Sequence, residues 1–206
     1  MKMTLSTMLC VNVALLSSIS QCSHQKLRDG ISAYGTHFPA LATIVANTQG
    51  PILEMGCGDY STPMLHALCA PTKRMLVSTD VHQSWLSLFL DLQRSWHTFA
   101  YVPAYEKQDQ RNNIWYCVGQ DAWDSIGQDI HWSVVLIDHS PGLRRVVDIE
   151  RLRKNTDIFV IHDTEDARYG YDRILNSFKY KYVYDRYNIT TTVVSDTIDI
   201  ATFFEA

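Results

Sequence analysis

Little in this sequence points to a partner through charge alone. Its 18 Lys and Arg are outnumbered by 22 Asp and Glu, so the formal charge is −4 and there is no general attraction to nucleic acid or anionic membranes. The RLRK run at 151–154 is too short to reverse that, and it reads as the solvated face of a helix. Cysteine is also scarce. Cys10, Cys22, Cys57, Cys69 and Cys117 are odd in number and lack zinc-type spacing, which argues against a disulfide framework or a zinc site and leaves buried free thiols. Internal repeats and low-complexity tracts are missing. The apolar run near the N-terminus is too short and too interrupted, by Thr7 and Asn12, for a membrane span.

What is present describes a globular protein. Of 206 residues, 46% are hydrophobic and 19% charged, enough for a sizeable core. Residues 1–25 read in two ways: as a signal peptide with an apolar run from Met8 to Leu16 and small residues Ser18 and Ser20, or as an N-terminal helix. Residues 26–206 read as a single domain. The compartment stays open between the cytoplasm and, with a working signal peptide, the secretory pathway.

Buried strands alternate with amphipathic helices along that domain. "ILEM", "RMLVSTD", "WSVVLIDHS" and "DIFVIHDTE" are strand-like, and "TFAYVPAY" and "IWYCVG" read as strand pieces around a polar loop. "SWLSLFLDLQRSW" reads as an apolar helix with Trp85, Leu88, Phe89 and Leu92 on one face, "GLRRVVDIERLRK" as an amphipathic one, and about ten helical residues are expected around "YGYDRILNSF". "KYKYVYDRY" and "TTTVVSD" read as a C-terminal antiparallel hairpin. The alternation implies an α/β fold: a doubly wound, mostly parallel sheet with helices on both faces. Ligands in such folds bind beyond the carboxyl ends of the strands. Polar residues collect at those ends: Glu54 to Ser61, Asp80, Asp121, Asp138 with His139, and His162 with Asp163.

The stretch "ILEMGCGDYSTPML" is the most informative. Two glycines, Gly56 and Gly58, follow a buried strand and precede a helix, which lets backbone N–H groups approach a ligand without a Cβ between. Ser61, Thr62 and Pro63 read as a hydroxyl cap and a first-turn proline. The third glycine of the dinucleotide fingerprint is missing, since Tyr60 stands after Asp59, which counts against NAD. Asp80 ends the next strand, where a ribose diol would be held.

"LEMGCGDYST" resembles the first motif of the class I S-adenosylmethionine-dependent methyltransferases, and the resemblance extends from about Tyr34 to Ser195. It implies a Rossmann-like sheet of seven strands, one of them antiparallel. It implies that Glu54, Gly56 and Gly58 line the methionine part of S-adenosyl-L-methionine, that Ser61, at the start of the next helix, also belongs to the cofactor site, that Asp80 takes the ribose hydroxyls, and that Asp121 sits near the adenine. In "YGTHF", Thr36 and His37 become candidates for closing over the cofactor; a satisfied loop histidine is the other reading of His37.

"LIDHSPG" and "VIHDTED" bring an acid and an imidazole to neighbouring strand ends. They could hold a hard divalent cation, or a histidine could act as general base. The arrangement is similar to that of metal-assisted O-methyltransferases of small molecules and sugars. That similarity implies Asp138 and Asp163 as Mg2+ ligands, and His139 and His162, with Asp138, as catalytic groups. His162-Asp163 replaces the acid–amide pair usual in the catechol-type enzymes. Arg144 and Arg145 could grip an anionic group of the substrate; at least one is expected to be a surface charge. The expected function is methyl transfer to a hydroxyl of a small molecule or glycan, with no nucleic-acid partner. The alternatives are a non-catalytic binding or scaffold protein of the same fold and an NAD-dependent enzyme.

Overall fold

In a computed structural model of the chain, residues 33–111 and 114–205 are described. The two readings of residues 1–25, together with Cys10 and Cys22, lie outside them. The helix α1 (Phe38–Ala46) leads into β1 (Ile52–Met55), and α2 (Ser61–Cys69) connects to β2 (Leu76–Asp80). A short α3 (Gln83–Leu86) precedes β3 (His97–Tyr101), then β4 (Tyr105–Asp109) and β5 (Ile114–Val118). After α4 (Gln120–Asp124) come β6 (Trp132–Ile137), α5 (Arg145–Leu152) and β7 (Thr156–His162). The chain finishes with α6 (Asp172–Leu175), β8 (Tyr180–Tyr184) and β9 (Thr191–Ser195).

Seven strands form one sheet in the order β3-β2-β1-β6-β7-β9-β8. Every neighbouring pair is parallel except those of β9, which runs antiparallel to β7 and β8. The expected α/β sheet with its terminal hairpin is therefore the one observed. β4 and β5 pair only with each other, antiparallel, outside the main sheet.

Two-residue periodicity explains why the central strands are almost wholly apolar. Ile52, Val134, Leu136, Ile158 and Val160 face the layer that holds α1 and α2. Leu53, Met55, Val135, Ile137, Phe159 and Ile161 face the layer that holds α5 and α6. Both faces are covered, so both sets of alternating positions are mostly apolar, and a polar residue among them, such as Glu54 on β1, needs a hydrogen-bond partner. The chain winds outward from β1 to β3, then crosses back to place β6 on the other side of β1. The carboxyl ends of β1 and β6 thus flank the point where the winding reverses, and a crevice opens there.

Two helices differ from the sequence expectation. The apolar run after residue 83 is helical for four residues only and continues as a 3-10 segment, Ser87–Leu92. Three residues per turn align Leu86, Phe89 and Leu92 against Cys57, while Leu88 and Leu90 face solvent. Its apolar residues are too many for a single α-helical stripe. The second difference is α6, four residues long instead of about ten. Gly170, at φ +70°, ends the turn before it, and Asn176 and Ser177 follow it, residues that compete with helical hydrogen bonding.

His97 on β3 is fully buried, with Nε2 3.0 Å from Ser78 Oγ and Nδ1 2.9 Å from Nδ1 of His66. Burial, then the charges of His66 and Arg94, lower its pKa from 6.5 to about 4. Between pH 4 and 6.5 the unfolded chain therefore binds more protons at this residue than the native one. Stability should rise with pH through that window and level off above it. His97 alone should contribute a slope approaching about 1.4 kcal/mol per pH unit. Denaturant titrations at stepped pH should show this component removed in His97→Gln; an identical slope in the variant would refute the assignment.

Candidate functional site

The crevice at the switch point has a volume of about 830 Å³, and its wall runs from the turn after β1 to the loops after β6 and β7. The turn is built by two different glycines. Gly56 has φ +97°, and a Cβ there would lie 2.6 Å from the carbonyl oxygen of Asp138, so this glycine is required by contact between the ends of β1 and β6. Gly58 is different. A Cβ there would meet the protein only at Ser61 Oγ, 3.3 Å away, and the residue lines the crevice. The space beside it is left open toward a ligand.

Hydrogen bonds fix the turn from below. Thr62 Oγ1 accepts from the Gly58 N–H at 3.0 Å and donates to Glu54 Oε1 at 2.9 Å. The hydroxyl N-cap expected at Ser61-Thr62 is not formed: Tyr60 holds the N-cap position without a side-chain hydrogen bond, and Thr62, in the first turn of α2, ties back to the glycine turn instead. Glu54 is fully buried; burial pushes its pKa up to about 7, against the nearby hydroxyls of Ser61, Ser78 and Thr62. Glu54 and Ser61 stand behind the turn and do not line the crevice. Asp80, at the end of β2, does line it. Its Oδ2 accepts from the Cys57 N–H at 3.1 Å and its Oδ1 from the His82 N–H at 2.7 Å. Burial raises its pKa, and the backbone hydrogen bonds oppose that shift. Trp85 donates from Nε1 to the Cys57 carbonyl at 2.8 Å and flanks the same wall. Asp121 is exposed on α4 and is not part of the crevice wall.

The opposite wall is organised by Arg145, almost completely buried at the start of α5. Its Nη2 donates to Asp138 Oδ1 at 3.1 Å, its Nη1 to Asp163 Oδ2 at 3.0 Å and its Nε to the His139 carbonyl at 2.8 Å. Its guanidinium also stands 4.9 Å from the centre of the Tyr169 ring. Burial opposes the Arg145 charge, but Asp138, Tyr171 and Asp163 more than offset it and raise its pKa. Asp163 holds φ at +57°, a left-handed conformation that Asp adopts more readily than most residues. The two carboxylates expected to bind Mg2+ are therefore already bridged by a cation of the protein's own. That leaves Mg2+ at this pair of carboxylates without support, and it corrects the expectation of a surface arginine. Arg144 is buried as well, donating to Asp148 and Asp124.

His162 reaches Asp138 Oδ1 at 3.2 Å and Asp163 Oδ1 at 3.3 Å through Nδ1, and Thr36 Oγ1 at 2.7 Å through Nε2. Burial disfavours its charged form, but Asp138 and then Asp163 outweigh that and raise its pKa. Asp138 shifts the other way: burial would raise its pKa, yet His162 and Arg145 lower it. His37 stacks edge-on against His162 with ring centroids 4.7 Å apart. It is 2% exposed, lines the crevice, and neither ring nitrogen has a hydrogen-bond partner. Burial, followed by the charge of His162, lowers its pKa to about 3, so it is neutral.

His139 is not in this wall. Consecutive residues project to opposite sides of an extended chain, so with Asp138 in the crevice His139 turns beneath α5. There its Nε2 lies 3.0 Å from Asp148 Oδ2 and its ring packs on Trp123. The catalytic assignment of His139 is corrected accordingly. Of the residues singled out from the sequence, the crevice brings together His37, Gly56, Gly58, Asp80, Asp138, Arg145, His162 and Asp163. Arg145 as a bridge, Trp85 and Tyr169 were not anticipated. The adjacent arginines after the Ser-Pro-Gly turn were the available signal for the first; the aromatics had none.

No protein-family model matches the sequence, and no curated protein matches it. Solved structures do match. The methyltransferase domain of delta-N METTL16 superposes with a TM-score of 0.50 at 10% identity, covering 89% of this chain and 97% of that one. Human methyltransferase 10 domain containing protein gives 0.49 at 11% identity, over 89% and 98%. The plantazolicin methyltransferase BpumL, solved with a triazolic desmethylPZN analog and SAH, gives 0.48 at 14% identity, over 90% and 96%. The fold is that of the class I S-adenosylmethionine-dependent methyltransferases.

Proposed function

We propose that the protein is an S-adenosylmethionine-dependent methyltransferase acting on a hydroxyl of a small molecule or sugar. The observation that carries this is the crevice at the β1–β6 switch point, where a ligand-open glycine turn faces a strand-end acid on one side and a histidine–aspartate cluster on the other. The residues fit the cofactor. The Gly56 to Gly58 backbone would hold its methionine part, Asp80 would accept from its ribose hydroxyls, and Val81, His82 and Trp85 would flank its base. When bound, it supplies an electrophilic methyl group on a sulfonium. The chain does the rest: the two walls exclude water, and His37, Asp138 and His162 receive the acceptor hydroxyl. His162 and then Arg145 keep Asp138 ionised, and the Arg145 guanidinium holds it in place. Mg2+ does not fit between Asp138 and Asp163, because the guanidinium occupies their facing oxygens.

A cavity of about 830 Å³ falls within the roughly 300–1,000 Å³ of small-molecule pockets, and the cofactor must share it with the acceptor. That, with the acidic balance of the chain, supports a small acceptor over a nucleic acid.

Calorimetric titration with S-adenosylhomocysteine tests the proposal, and Gly58→Ala sharpens it. The added methyl group finds room in the free protein but enters the space assigned to the ligand. Stability should change by less than about 1 kcal/mol, while affinity for S-adenosylhomocysteine should fall about tenfold or more. No heat of binding to the unaltered protein would refute the proposal.

A further inference from the structure

His37 presents an unresolved cost. Burying polar atoms without partners costs about 1–3 kcal/mol each, and here two ring nitrogens are buried together. The side chain could have been apolar if packing were its purpose. Three ligand-type side chains, His37, Asp138 and His162, each offer one donor atom, and these atoms lie within 4.8 Å of one another. All three line the crevice. We propose that they form a binding site for one divalent first-row transition-metal ion, of the class that takes imidazole nitrogens together with a carboxylate.

The surroundings are those of a ligand set held in readiness. A metal-bound histidine usually anchors its other ring nitrogen on an oxygen, which fixes tautomer and orientation. His162 does this with Thr36 Oγ1 at 2.7 Å, and its Nδ1, on the cluster side, lies 3.2 Å from Asp138 Oδ1 and 3.3 Å from Asp163 Oδ1, contacts that an ion would take over. Asp138 is clamped through Oδ1 by Arg145, while Oδ2 faces His37 Nδ1 at 3.9 Å. Two nitrogens and one oxygen favour zinc or iron over magnesium, which prefers an all-oxygen shell. The three donors come from one wall, so the remaining coordination positions face the crevice. An ion there would bind the acceptor hydroxyl directly and lower its pKa. That use in methyl transfer rests on the methyltransferase reading; the binding of the ion does not.

Cobalt(II) is a suitable probe, because protein nitrogen ligands give it visible absorption bands independent of any activity. Chelator-stripped protein titrated with Co2+ should develop such bands to saturation at one ion per chain, and Zn2+ should displace them. His37→Ala and His37→Gln should each weaken Co2+ binding by about 100-fold or more, beyond the roughly 10–100-fold typical of changes behind a metal ligand. The glutamine variant covers the case in which the alanine variant does not fold, and thermal melts of the stripped proteins report on that. Asp80→Ala should keep the cobalt bands while losing S-adenosylhomocysteine, so failure of the metal site and failure of the cofactor site are distinguishable. No bands, or bands of equal affinity in folded His37→Gln, overturn the proposal.

Discussion

Asp80→Ala is expected to weaken S-adenosylhomocysteine binding at least about 100-fold. A carboxylate has about four lone-pair directions, and backbone N–H groups of Cys57 and His82 occupy two of those on Asp80. Acceptor capacity facing the crevice would be open to the ribose diol of the proposed cofactor. Hydrogen bonds to a charged acceptor contribute roughly 1.5–3 kcal/mol each, so losing two accounts for the expected drop. The variant also strips acceptors from two backbone donors that tie the glycine turn to the end of β2, which loosens the surface proposed for the methionine part. Asp80→Asn should fall between, because an amide offers one acceptor oxygen and would turn its NH2 toward one of those donors. Calorimetry on both variants, with melting curves as a folding check, decides the matter. Binding at full strength in Asp80→Ala would place the cofactor elsewhere and remove the basis of the proposed function.

Arg145→Met should destabilise the fold by about 3 kcal/mol, near the lower end for breaking a buried ion pair because Asp138 and Asp163 retain some solvent contact. For a domain of this size that corresponds to a fall in Tm of about 6–12 °C. The cause is the two acids left facing each other, together with the unpaired carbonyl of His139. Arg145→Lys should not rescue it, since an ammonium on a flexible stem cannot donate in the fork that reaches both carboxylates and the backbone. Adding Asp138→Asn and Asp163→Asn to Arg145→Met should restore part of the loss. Denaturant titration of the four proteins gives the answer, and a melting curve for Arg145→Met matching that of the unaltered chain would show that the bridge does not hold the wall.

The sheet was legible because both of its faces are covered. "ILEM", "WSVVLI" and "IFVIH" carry runs that only a strand buried on two sides requires, and the polar residues after them marked the ends where the crevice opens. The glycine turn and Asp80 were legible for the same reason. Sequence adjacency misled at Asp138-His139, where strand geometry sends neighbours to opposite sides. It also misled at Asp138 and Asp163, which suggest a divalent cation until the position of Arg145, seven residues from one and eighteen from the other, is known. That bridge depends on the packing of α5 across the ends of β6 and β7, which periodicity does not encode. The break in the helix after Leu86 escaped notice because α and 3-10 spacing both accommodate a run so rich in apolar residues.

The contact that demands glycine at position 56 has a consequence for how the crevice could be adapted to a different ligand, including the acceptor of the proposed function. Because the backbone at Gly56 rests against the carbonyl of Asp138, the separation between the two halves of the crevice is set when the chain folds. It works as a fixed gauge, identical for every acceptor that enters. Selection for larger or smaller acceptors therefore has little purchase on β1 and β6, and falls on the rim, at Tyr34, Tyr169 and Ile189. A library randomised at those three positions should yield new ligand ranges on an unchanged chassis, and under the proposed function every member would inherit the same span for methyl transfer.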